Sequence, residues 1–249
     1  MYEIDLPLFT FLLALARVSA IVMLMPGFGE MWIPARARIG MAVGLSFIVT
    51  AAMPPLPALP NGFAMATSAV IAESVAGLIF GGIMRMFLAA PQVAGQLTSQ
   101  IGSLSNIFIN AGMPMETSSV FSVWLMVGTI VFIFVSGLHY LMIDAIIASY
   151  TIIEIGRFPF AGDAAQQAVK VFAGVFALGV QMAVPFILLS LIFNLGIGLV
   201  NRMLPSLPVY FIAMPVSILG LIYVMSHAIA PVLNVFRSSF QAWLLAPFA

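Results

Sequence analysis

Charged side chains are so scarce in this chain that each one calls for a chemical reason. Asp, Glu, Lys and Arg together make up 6% of the 249 residues, and 63% are hydrophobic. Arg17, Glu73, Asp144 and Arg202 stand inside apolar stretches. A central membrane charge costs about 2.5–3.5 kcal/mol on insertion scales, so such residues either mark a proton or ion pathway or pair with a charge or helix terminus on a neighbouring subunit. Glu73, Gly77 and Gly81 recur at helical spacing on one face, where the glycines allow a second helix to come close. Helix packing is the role this spacing predicts.

Catalytic arrangements are absent from the pattern. His139 and His227 lie far apart, no His-Glu-x-x-His motif occurs, and no glycine-rich loop runs into a lysine. Both histidines read as structural. Ser149 follows His139 and Asp144 on the chain but lacks the strand–turn–helix context of a nucleophile elbow. Without cysteine there is no disulfide, no thiolate nucleophile and no cysteine-ligated metal. A net charge of zero gives no electrostatic reason to expect nucleic acid. The expectation is a non-enzyme with neither metal nor cofactor.

The elements that must carry these residues are membrane helices. A soluble domain devotes about a quarter of its residues to charge. Here five intervals carry none at all: between Arg38 and Glu73, Arg85 and Glu116, Glu116 and Asp144, Lys170 and Arg202, and Arg202 and Arg237. Each exceeds the roughly 20 residues a helix needs to cross a bilayer. Proline and glycine clusters divide the chain into six apolar segments near 6–25, 37–53, 63–90, 119–148, 168–200 and 207–236. The third, fourth and fifth overrun a perpendicular span and must tilt, kink or protrude. Pro185 and Pro215 fall inside the fifth and sixth, so kinked or broken helices are expected there. Arg36, Arg38, Arg85 and Arg202 on one face balance Arg157, Lys170 and Arg237 on the other, and the positive-inside rule sets no orientation. The acidic start Met1-Tyr2-Glu3-Ile4-Asp5 does not suit a signal peptide, so the first segment is expected to be retained.

One stretch does not suit lipid. Residues 95–116 hold Gln96, Thr98, Ser99, Gln100, Ser103, Ser105, Asn106 and Asn110, whose hydrogen-bonding groups need protein or water around them. Ile101, Leu104, Ile107, Phe108, Ile109, Met113 and Met115 alternate with them. Apolar flexible side chains at a constriction can exclude water and ions and still yield to a passing chain. An amphipathic linker at the membrane interface is the other reading.

The order of residues resembles the FliR family of the flagellar export apparatus, called SctT in injectisomes. Arg17 with Pro26, Phe28, Gly29, Pro34 and Arg38 matches its opening helix and loop, and Glu73, Gly77 and Gly81 its glutamate-glycine-glycine helix. Ala94-Gly95-Gln96 with Gln100-Ile101-Gly102 matches the start of its central plug. Gly137-Leu138-His139 and Ser149 follow. The most specific run is Asn194-Leu195-Gly196-Ile197-Gly198-Leu199-Val200-Asn201-Arg202-Met203-Leu204-Pro205, then Phe211 and Pro215. Asn110-Ala111-Gly112 stands where many relatives have Asp-Pro.

The resemblance implies an all-α integral membrane protein of kinked helical hairpins, with a FliP-like part over 1–150, a plug loop at 95–116 and a FliQ-like part over 151–249. It implies assembly with FliP and FliQ homologues, with FlhB and FlhA homologues nearby, in the bacterial inner membrane at the flagellar basal body and partly on its periplasmic side. Unfolded secretion substrates would pass through, and membrane lipid would surround part of the complex. Gln100, Ile101, Leu104, Ile107, Phe108, Ile109, Met113 and Met115 would form the plug. Arg17, Glu73, Gly77, Gly81, Arg202 and Pro205 would serve packing and assembly. The rival expectation is an ion or small-molecule transporter using the intramembrane charges, although no internal repeat pairs the 95–116 interruption with a second one.

Overall fold

The computed structural model describes residues 5–52, 62–101, 119–204 and 209–246. Among them all regular structure is helical: α1 (Asp5–Leu24), α2 (Ala35–Ala52), α3 (Phe63–Met86), α4 (Ala89–Ile101), α5 (Val120–Val135), α6 (Leu138–Ile152), α7 (Ala161–Met203) and α8 (Val209–Leu245). Five spans, one of them α3 continued into α4, are long and apolar enough to cross a membrane, and a sixth arises if the bent pair α5–α6 is taken as one. The all-α membrane architecture and the approximate number of apolar segments agree with the sequence.

The boundaries differ in instructive ways. The apolar run 119–148 is not one helix, because the chain breaks at Ser136-Gly137 and bends by 77°. Gly137 takes φ +76°, which only glycine adopts at little cost, and its N–H still bonds to the Phe134 carbonyl. Hydropathy contains no trace of such a break. The prolines do not break their helices: α7 runs on through Pro185, and α8 through Pro215 and Pro231. The polar stretch also begins inside a helix. Residues 95–101 form the last turns of α4, where Thr98 satisfies its hydroxyl on the Ala94 carbonyl.

Two compact units emerge from packing. The first holds residues 1–87, 133–172 and 241–249. Its core is a helix-on-helix seam in which Ala14, Val18 and Ile21 recur every three or four residues along α1, flanked by Val22, with Met25 buried just past its end. Ala72, Ala76, Phe80, Ile83 and Met84 form the corresponding buried stripe of α3. α2 lies against α1 through Ala42, Ser46 and Val49, with Phe11 and Phe47 rings 4.5 Å apart. The second unit holds residues 88–132 and 173–240. In it α4 and α5 touch at Gly95, where an added Cβ would strike the backbone of Ser122, and Ser122 donates its hydroxyl to the Gln92 carbonyl. Phe121 and Phe186 pack edge to face at 5.6 Å.

Candidate functional site: a buried arginine network

α1 places Arg17 on the same stripe as its apolar core residues, and there it is 0% exposed. An unpaired guanidinium in such a place would be prohibitively costly. It is instead held from three sides. Nε and Nη2 donate to the two carboxylate oxygens of Glu73 at 2.6 and 3.0 Å. Nη1 donates to the carbonyls of Ser149 and Ile153 at 3.1 and 3.0 Å. Tyr150 lies beneath the charge, with its ring centroid 4.0 Å from Cζ.

Each partner has its own local reason. Glu73 faces α1 because Ala72, Ala76, Gly77 and Phe80 turn that side of α3 inward. The two carbonyls belong to the end of α6, which carries partial negative charge: the Ser149 carbonyl accepts the Ile153 N–H as well as Arg17, and the Ile153 carbonyl lies just past the last turn. After that end the chain turns at Gly156, φ +74°, and the Gly156 N–H donates to Glu73 Oε1 at 2.7 Å. Glu73, also 0% exposed, therefore accepts three hydrogen bonds. Fork-to-fork geometry of this kind is the form in which a buried ion pair best offsets its desolvation.

The glycines of α3 make the approach possible. A Cβ on Gly77 would lie 2.5 Å from the Arg17 carbonyl oxygen, and one on Gly81 would lie 3.0 Å from Ile21 Cα. Arg17, Glu73, Gly77 and Gly81 are thus brought together in one seam. The alternative of a charge on a neighbouring subunit is corrected for Arg17 and Glu73, which satisfy each other within the chain. A smaller device stands near the end of α1, where Arg85 donates to the Leu24 carbonyl at 3.5 Å and faces Glu30 at 3.6 Å.

The other residues singled out by sequence are not part of this cluster. Arg202 is exposed in the last turn of α7, and Asp144 is exposed on α6. Gln100 is exposed in the last turn of α4, and Ile101 ends that helix. Leu104, Ile107, Phe108, Ile109, Met113, Met115 and Pro205 lie outside the described residues. Ser149 donates its hydroxyl to the Ile146 carbonyl, and its ten-residue separation from His139 along α6 is about 15 Å of helix rise, too far for a triad. Among the described residues no three His, Asp or Glu side chains converge on a metal-sized site. Sequence reasoning missed Tyr150 and Gly156. The Glu154-Ile155-Gly156 turn was the available signal, since a glycine just beyond a helix end marks a reversal of the backbone.

The fold defines a helical membrane protein in which the buried charges of Arg17 and Glu73 are paired with each other and with backbone groups. The family model for bacterial export proteins, family 1, matches residues 8–243. The flagellar biosynthetic protein FliR of Caulobacter vibrioides is 40% identical over 215 residues, 84% of this chain and 84% of the relative. The protein of that name from Bacillus subtilis is 31% identical over 245 residues, covering 93% and 92%. Yop proteins translocation protein T of Yersinia pestis is 27% identical over 240 residues, 90% of each chain. The chain belongs to the bacterial export proteins of family 1, the FliR and SctT family.

Proposed function

We infer that this chain is a membrane component of the type III export apparatus and serves flagellum assembly. The observation that carries the reading is similarity along almost the whole chain to FliR proteins, stronger than that to the Yersinia translocation protein. In this reading it assembles with FliP and FliQ homologues, next to FlhB and FlhA homologues, in the bacterial inner membrane at the basal body. It performs no chemistry of its own. Residues 100–115 act as a plug: Ile101, Leu104, Ile107, Phe108 and Ile109 exclude ions at rest, and the loop yields when an unfolded substrate enters.

The transporter reading loses its main support, because Arg17 and Glu73 are consumed by each other and by backbone groups, leaving neither free to carry a proton or ion. Native mass spectrometry of the chain co-expressed with the FliP and FliQ homologues of its own source tests the assignment. A defined hetero-oligomer is the expected result. A stable monomer or homodimer that ignores both partners would overturn it.

A further inference from the structure

The turn between α1 and α2 carries positive charge that the chain does not balance. Arg36 and Arg38 stand in the first turn of α2, which holds no acidic residue. A helix start is the end at which the backbone dipole repels cations. Glu30 is the acidic residue between Leu24 and Arg38, and it faces Arg85 at 3.6 Å. Neither Arg36 nor Arg38 forms an ion pair or a side-chain hydrogen bond with a described residue. Arg36 is exposed; Arg38 is half-buried, and its Nε is shielded from solvent without an acceptor. A shielded N–H with no acceptor carries a desolvation cost. What the two guanidinium groups lack is an anion.

The surroundings say which anion. α1 and α2 are each long and apolar enough to cross a bilayer, so the turn that joins them lies at one membrane surface. α2 is covered by α1 on one side only, through Ala42, Ser46 and Val49. Its outward side is open and apolar: Ile39, Phe47 and Ile48 are each more than half exposed, and a Cβ added at Gly40 or Gly44 would meet nothing within 4 Å. Arg36 and Phe47 lie about three turns apart on nearly one line of the helix, so Arg36 heads this side. An apolar face with a cation at its end is the arrangement of a helix that lies against lipid and reaches the headgroups with its long side chain.

The residues just before α2 fit the same layer. Met31 is 96% and Trp32 61% exposed. A tryptophan ring suits the boundary between acyl chains and water, where its body is apolar and its N–H finds acceptors. A soluble anion would answer the arginines but leave Met31, Trp32 and Ile39 in water. An acidic peptide could cover the turn, but not the apolar face that continues along α2. A phospholipid answers both, with a phosphate at one end and hydrocarbon at the other.

We propose that the α1–α2 turn binds the headgroups of anionic phospholipids. The phosphates lie by Arg36 and Arg38, Trp32 and Met31 sit at the base of the headgroup layer, and the outward side of α2 lies against the acyl chains. The site goes beyond the export reading and does not depend on it.

Native mass spectrometry of the full chain in detergent, titrated with phosphatidylglycerol and separately with phosphatidylcholine, tests the proposal. Phosphatidylglycerol should bind more tightly. Arg36→Gln should weaken its binding about fivefold, and Arg36→Gln with Arg38→Gln roughly thirtyfold, the factors that follow from the attraction of one and two basic residues to an anionic surface. Arg36 bonds to no described residue, so the single variant keeps the test decisive should the double one fail to fold. Arg157→Gln removes an exposed arginine already paired with Glu154 and should leave the affinity unchanged. Equal affinity for the two lipids, or an equal loss in Arg157→Gln, would overturn the site. Displacement of the lipid by inorganic phosphate at the same concentration would make it a site for the free anion instead. The photoreactive p-benzoylphenylalanine at Trp32, irradiated in intact cells, should give adducts of lipid mass. A protein adduct there would assign the surface to a partner subunit and overturn the lipid as its occupant.

Discussion

Arg17 and Glu73 are 56 residues apart in sequence, yet Nε of one lies 2.6 Å from Oε2 of the other in a site with no exposed surface. This pair ties α1 to α3, and through the Ser149 and Ile153 carbonyls it ties both to the end of α6. Arg17→Leu or Glu73→Leu alone leaves the other charge buried, a change that costs about 3–5 kcal/mol. The double variant should be less destabilised than the sum of the single ones by about 0.5–3 kcal/mol. Thermal unfolding of the purified chains in detergent measures both quantities, and strict additivity would show that the two residues do not act together.

Arg17→Lys should behave like a loss rather than a conservative change. An ammonium offers three donors from a point, and the four hydrogen bonds made here need a planar fork. A yield of folded chain equal to that of the parent would contradict this.

Two neighbouring glycines of α3 should respond in opposite ways. Gly77→Ala drives a Cβ against the Arg17 carbonyl and should destabilise by about 1–3 kcal/mol, as overpacking does. Gly82 has nothing within 4 Å of its would-be Cβ, so Gly82→Ala should stabilise by about 0.5–1 kcal/mol. Melting temperatures of the two variants settle the matter. Equal shifts would remove close packing as the reason for Gly77.

At the break between α5 and α6, Gly137→Ala should cost about 1–2 kcal/mol, because alanine resists the left-handed region that Gly137 occupies. A Gly137→Asn variant should recover part of the loss, since asparagine tolerates that region better than alanine. Matching stabilities for the two would argue against strain at this position.

The plug is open to a direct conductance test. Replacing Ile107 and Phe108 with glycine, or deleting 104–110, should leave assembly intact and raise ion leak across the membrane. Arg202→Ala should do the reverse and lower complex yield, because an exposed arginine in the last turn of α7 is placed to hold a neighbouring group. Ion flux and complex yield, measured on both variants, separate the two roles. A tight membrane in cells carrying the assembled deletion would count against the plug.

How far the sequence reaches differs from element to element. The apolar segments were legible because charge-free runs and Pro-Gly clusters are properties of neighbouring residues. The break at Gly137 was not, since a lone glycine in an apolar run is ordinary and its φ depends on what packs around it. The costs of Arg17 and Glu73 could be read, but their meeting could not: an ion pair between different helices depends on helix phase and crossing, which no local pattern encodes. Gly77 and Gly81 carried a face that sequence could place, while Tyr150 and Gly156 became meaningful only beside Arg17.

The 43 residues of α7 run for about 65 Å at 1.5 Å per residue, roughly twice the hydrocarbon thickness of a bilayer. Exposed apolar side chains follow almost its whole length, from Val169 and Phe172 to Leu199 and Met203. No single solvent can wet such a rod: lipid is too thin, and water is unfavourable beyond it. Whatever part of it the bilayer leaves uncovered carries an apolar surface that water wets poorly, so the length of this one helix imposes a cost that its mean hydropathy does not reveal.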